Sequence, residues 1–142
     1  MRRLGLREYR GRRADNGRWI CGLFCREKRD GLIVPCIEVE HESDFGDWIE
    51  RVEIDGATLS QSTGLRDRNR TPIFEGDIVR SCEYGDVYAV RYFDDDNYPA
   101  FDLVPAIEYC ECNGLAHLIC VEGVEVVGNI YDHPNRLKGE GK

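Results

Sequence analysis

The sequence contains no apolar run approaching the ~20 residues that a membrane-spanning helix needs, so no helical span is expected. It also has no phosphate loop, because Gly64 and Gly76 stand far apart and no Gly-Lys-Ser/Thr follows. No serine or cysteine neighbours a histidine in a hydrolase signature, and His41, His117 and His133 are scattered. The N-terminus lacks the apolar core of a secretory leader. A cytoplasmic, reducing location is therefore expected, with the seven cysteines as free thiols; an odd count also argues against a complete disulfide framework. Helical periodicity is missing as well, and the best helix candidate is a turn or two over Pro105 to Cys112.

What is present is enough for one ordinary folded domain. The chain has 142 residues, and 42% of them are hydrophobic, close to the globular norm. Ordered structure is expected from about residue 18 to about residue 131. The net charge of −8 is unevenly spread. Residues 1–18 carry seven arginines against Glu8 and Asp15, a surplus of five positive charges, which leaves −13 on the rest. A basic arm on an acidic body suits pairing with the chain's own body or with a second copy, since such a body repels a duplex. An alternative makes Arg2, Arg3, Arg7, Arg10, Arg12 and Arg13 contacts to nucleic acid or another acidic surface.

The apolar residues fall in short runs of strand composition. These are Trp19 to Phe24, Leu32 to Val39 with Pro35 marking an edge or bulge, and Trp48 to Ile54. Asp55-Gly56 is a turn signal. Further runs are Ile78-Val79, Val87 to Phe93, Phe101 to Val104, Leu115 to Val121, and Val124 to Tyr131. Many short strands with close turns predict a mainly β fold. The expected arrangement is an SH3-like, partly open barrel over residues 57–133. Before it come a basic arm (1–18) and a β extension (19–56); after it comes a flexible tail (134–142).

Metal-ligating residue types occur, but in unhelpful patterns. Cys21 and Cys25 have C-x3-C spacing and Cys110 and Cys112 have C-x-C spacing; Cys36, Cys82, Cys120 or His117 could complete a zinc set. Free cysteine is more often a small buried apolar residue. Asp94, Asp95 and Asp96, with Asp102 or Glu108, offer hard oxygen donors, yet adjacent acids point in alternating directions and are usually solvated. No metal or other cofactor is assigned. The aromatics Trp19, Trp48, Tyr84, Tyr88, Tyr92 and Tyr98 read as core, or as a surface gripping a peptide. The body has too few basic residues to favour base stacking.

Two stretches carry a family likeness. The first runs from Leu59 through Gln61-Ser62-Thr63-Gly64-Leu65-Arg66-Asp67-Arg68-Asn69-Arg70 to Phe74-Glu75-Gly76-Asp77-Ile78-Val79. The second is Val124-Glu125-Val126-Val127-Gly128-Asn129-Ile130-Tyr131-Asp132-His133-Pro134. Together they resemble the YopX family of small phage and prophage proteins, although the family's usual turn glycine is Arg70 here. The resemblance implies a mainly β fold, a phage or prophage setting and self-assembly; it implies no activity. Read physically, Gly64, Asp67, Asn69, Glu75, Gly76, Asp77, Gly128 and Asn129 are explained by turns and strand entries. The expected function is a non-enzymatic accessory protein that binds a protein partner or itself, as a homo-oligomer, with nucleic acid as the alternative and no membrane.

Overall fold

The computed structural model describes residues 8–94, 99–109 and 113–137. The protein is mainly β, with ten strands among these residues. It divides into two units, residues 1–62 and 63–142. Within residues 1–18, Tyr9–Arg12 forms a strand.

The first unit is an antiparallel sheet ordered β4-β3-β2-β1. Its strands are β1 (Tyr9–Arg12), β2 (Trp19–Arg29), β3 (Leu32–His41) and β4 (Trp48–Glu53). Strand β2 runs five residues past its apolar stretch because Asp30-Gly31 forms a two-residue hairpin turn. Both residues have positive φ, 50° and 81°, and Arg29 pairs with Leu32 across the turn. Such a turn matches the twist of the flanking strands. Pro35 sits inside β3 where the ladder to β4 ends: the Ile54 N–H donates to its carbonyl at 3.0 Å, and proline has no N–H to return the bond.

The sheet curls until its two edges touch. Arg13 bridges Ile54, the Ala14 N–H donates to Glu53 at 2.9 Å, and the Asp55 N–H donates to Arg12 at 2.8 Å. A single 3₁₀ turn, Gly56–Thr58, then leads into β5 (Ser60–Arg66), whose first residues pair with Tyr9 and Arg10. The interior is small: Ile37, Val52 and Ile54 are buried, each contributing about 1.5–3 kcal/mol. Two glycines permit the close packing. A Cβ on Gly11 would lie 2.7 Å from Ile54 Cδ1, and one on Gly22 would lie 2.0 Å from the Glu38 carbonyl oxygen.

The second unit contains the end of β5, β6 (Pro72–Phe74), and a four-stranded antiparallel sheet ordered β10-β7-β8-β9. These four are β7 (Asp77–Ser81), β8 (Val87–Phe93), β9 (Ala100–Val104) and β10 (Val124–Asn129). Among the described residues this sheet is open, so the edge-to-edge curl lies in residues 9–61. Its core joins Ile73, Val79, Tyr88, Val90 and Leu103 to Ile107, Leu115, Leu118 and Val124.

One expectation is corrected here. Leu115 to Val121, expected as a strand, is helical: α1 (Gly114–His117) continues into a π-helical turn, Leu118–Glu122. Residues 105–109 of the expected helix are not helical, and Cys110 and Cys112 lie outside the described residues. The Asn113 side chain caps the helix by accepting the Ala116 N–H at 2.9 Å. The Asp102 carboxylate accepts the Gly114 N–H at 2.9 Å and the Leu115 N–H at 3.3 Å. Leu115 and Leu118, three apart on one helical face, are both fully buried. A short apolar run does not reveal its period, and here a capping carboxylate from another strand decided it.

Gly22→Ala tests the close approach. The clash is with backbone, so a loss of at least ~2 kcal/mol is expected in denaturant unfolding.

Candidate functional site

The family-like motif residues meet in the second unit, and each has a structural task. The Asp67 carboxylate is buried and accepts three main-chain N–H groups: Asn69 and Thr71 on Oδ1 at 2.8 Å each, and Val126 on Oδ2 at 2.9 Å. It therefore closes its own turn and ties that turn to β10. Gly64 and Gly76 have φ of 82° and 89°. Gly76 also links β8 to the residue after β10, donating to Val90 O at 2.7 Å and accepting from Ile130 N at 2.8 Å. Asp77 Oδ2 accepts the Phe74 N–H at 2.8 Å, and Glu75 Oε2 accepts the Tyr92 N–H at 3.4 Å. Gly128 lies at the bulge in β10, where a Cβ would meet His133 Nδ1 at 2.6 Å. Asn129 Oδ1 receives the Tyr131 and Asp132 N–H groups, at 3.0 and 2.8 Å. Arg70 holds a φ of 67°, which is why glycine is usual there.

The arginine set divides. Arg2, Arg3 and Arg7 lie outside the described residues. Arg10 and Arg12 are on β1 with their guanidinium carbons 4.8 and 5.2 Å from the Trp19 ring centre. Arg13 pairs with Asp15 in a two-bond fork, both at 2.9 Å. These three are thus drawn into the unit rather than held out on an arm.

The cysteines do not assemble a metal site among the described residues. Cys25 and Cys36 face each other in register across β2 and β3. Burial pushes both thiols up, which makes them poor nucleophiles. Asp102, from the acidic set, is occupied as a helix cap.

Sequence reasoning missed a buried polar network in the second unit. Glu122 is 8% exposed; its Oε1 accepts the Ser81 hydroxyl at 2.6 Å, and its Oε2 accepts Tyr109 OH at 2.6 Å and faces His117 Nε2 at 3.1 Å. Burial pushes Glu122 up, but the hydrogen bonds from Ser81, Tyr109 and His117 outweigh it and hold the carboxyl below its ordinary range. The same bond to Glu122, with burial, pushes the Tyr109 phenol up. Ser81 Oγ also receives the Glu83 and Tyr84 N–H groups, so the carboxylate braces the turn between β7 and β8. Both oxygens are filled by the fold's own donors. His117-x4-Glu122 was visible in sequence, but Ser81 and Tyr109 arrive only through the sheet.

The most exposed chemistry is at the β3–β4 hairpin of the first unit. His41 stacks on Trp48 with ring centres 4.8 Å apart at 15°, and its Nε2 lies 2.9 Å from Glu50 Oε1. The turn is set by Ser43, whose hydroxyl donates to Gly46 O at 2.8 Å and accepts the Phe45 N–H at 3.2 Å. Phe45 is thereby held fully in solvent, at 102% exposure; Trp48 and Ile49 are 53% and 58% exposed. A cavity of about 240 Å³ opens beside them, lined by Glu40, His41, Glu42, Asp47, Trp48 and Ile49. Glu40, Glu42, Asp44, Asp47 and Glu50 make the rim acidic. From Trp48 to Val52 the outer edge of β4 has no neighbouring strand among the described residues. Arg29 Nη2 caps one outward carbonyl there, that of Arg51, at 2.7 Å.

Two outcomes test these assignments. Arg70→Gly is expected to gain roughly 0.5–1 kcal/mol in denaturant unfolding, because the left-handed backbone is then unstrained. Glu122 has a depressed folded-state value, so its contribution is complete above the ordinary glutamate range, near 4.5, and is lost as pH falls through the depressed value. Glu122→Gln should melt lower at neutral pH and lose less between pH ~5 and ~3 than the parent, as followed by thermal unfolding.

Comparison with known proteins agrees with this architecture. A crystal structure of protein EF1440 from Enterococcus faecalis is similar, with a TM-score of 0.58 and 21% identity, over 93% of this chain and 98% of that one. At that identity the likeness shows the fold alone. No curated protein matches the chain. The YopX protein family matches residues 9–138, a span that holds every strand from β1 to β10 and both motifs. The chain therefore belongs to the YopX protein family.

Proposed function

We propose that this is a non-enzymatic accessory protein of a phage or prophage, working in the host cytoplasm by binding protein, either a partner or a second copy of itself. The observation that carries the reading is the β3–β4 tip. Three large apolar side chains, Phe45, Trp48 and Ile49, stand in solvent within five residues, inside an acidic rim. An exposed apolar cluster with a polar surround is the form of a protein-binding surface. Its acidity favours a surface that presents basic and apolar side chains together. The non-enzymatic part rests on the occupied state of the suggestive groups: Glu122 is filled by its three donors and Asp102 by a helix. The nucleic-acid alternative is weakened by Arg10, Arg12 and Arg13, which spend their guanidinium groups on Trp19 and Asp15.

The test is affinity capture by the tagged chain from a bacterial host lysate, with and without nuclease, beside Phe45→Ser and a Trp48→Glu/Ile49→Glu double variant. A discrete protein retained after nuclease by the parent and lost by the variants is the expected result. Recovery of nuclease-sensitive material alone, equal in parent and variants, would replace this reading with the nucleic-acid one.

A further inference from the structure

We infer that the acidic β3–β4 tip is the receptor for the N-terminal segment, residues 1–7, of a second copy of this chain, so that two copies exchange their segments reciprocally. The inference rests on the protein-binding reading above and names the occupant.

Charge and apolarity match on the two sides. Residues 40–50 carry Glu40, Glu42, Asp44, Asp47 and Glu50 around Phe45, Trp48 and Ile49. Residues 1–7 carry Arg2, Arg3 and Arg7 around Met1, Leu4 and Leu6. In an extended segment Leu4 and Leu6 share one face. That face can cover Trp48 and Ile49 beside the 240 Å³ cavity, with the arginines meeting the rim acids. The outward main chain of Ile49, on the open stretch of β4, offers both an N–H and a C=O to an added strand.

Direction is what assigns the segment to another copy. Strand β1 pairs Arg12 with Trp19 and Tyr9 with Gly22, so it enters the sheet from the Arg29 side of β2. Arg29 pairs with Leu32, and the tip lies at the other end of β3, where His41 pairs with Trp48. Tyr9 therefore stands toward the end of the sheet opposite the tip, and residues 1–7 would have to turn back along the length of the sheet to reach the tip of their own chain. A copy related by a two-fold axis delivers its segment without that reversal, and the exchange closes on itself.

The experiment is the molar mass of the full chain by sedimentation, at ~0.1 M and ~1 M salt, across which the screening length falls from ~10 to ~3 Å. Three samples are compared: the parent; a chain with Arg2→Glu, Arg3→Glu and Arg7→Glu; and a chain with Glu42→Lys, Asp44→Lys and Asp47→Lys, which turns the sign of the tip at three exposed positions, so that the fold is retained. The parent is expected to associate at low salt and dissociate at high salt. Each variant alone should need at least about tenfold higher concentration to associate. Mixing the two variants should restore association, since the reversed segment then meets the reversed tip and the parental segment meets the parental tip. Association of the arginine-reversed chain equal to the parent's, a monomeric parent at both salts, or no rescue on mixing would overturn the exchange. A monomeric parent that still captures a host protein through Phe45 and Trp48 would sink this inference while leaving the binding reading intact; loss of both would sink both.

Discussion

The Asp67 carboxylate takes three main-chain amides, from Asn69, Thr71 and Val126, out of solvent. A buried donor left unpaired costs about 1–3 kcal/mol, so one side chain answers for several such costs at once. It folds the turn after β5 and holds it against β10, and the Arg68 N–H reinforces the link by donating to Val124 O at 3.0 Å. Around this anchor β10 lies beside β7, and Gly76 joins β8 to the chain beyond β10. Most of the family-like motif is an apparatus for this one arrangement, which accounts for its length and its polar residues.

The first unit meets a different constraint, a core with little volume. Ile37, Val52 and Ile54 fill the interior only because Gly11 and Gly22 allow neighbouring main chains and side chains to approach. Its outer face is tied by charge instead. Arg29 joins Glu27 at 2.6 Å and Arg51 joins Glu38 at 3.1 Å, in partly exposed pairs that contribute modestly. Among the described residues, part of the arginine surplus near the N-terminus is therefore taken up within the unit: Arg10 and Arg12 lie against Trp19, and Arg13 holds Asp15. The exposed apolar tip stands at the end of this unit where few packing demands act on it.

The strands were legible wherever alternation or β-branched runs were long enough. The Val87 to Phe93 strand was read with its observed limits, and β4 and β9 were read to within a residue. The turn chemistry of Gly64, Gly76, Asp67 and Asn129 was legible because those residue types have few other uses. The Asp30-Gly31 dipeptide was an available signal for the long β2–β3 hairpin, which apolar content alone cut short. The Glu122 network was not legible: Ser81 and Glu122 are 41 residues apart in sequence, and nothing local marks them as partners.

By itself the sequence determined the class of fold, the family and the uneven charge, because composition, periodicity and turn residues act locally and add along the chain. Only the tertiary structure decided whether Leu115 to Val121 is helix or strand, because the deciding group, the Asp102 carboxylate, arrives from another strand. It also decided which aromatics are core and which are surface. Tyr88 is buried and Trp48 is not, although both sit in alternating strands of similar composition. The face of a strand that meets a core depends on what packs against it, and that is a property of the assembled sheet rather than of the strand.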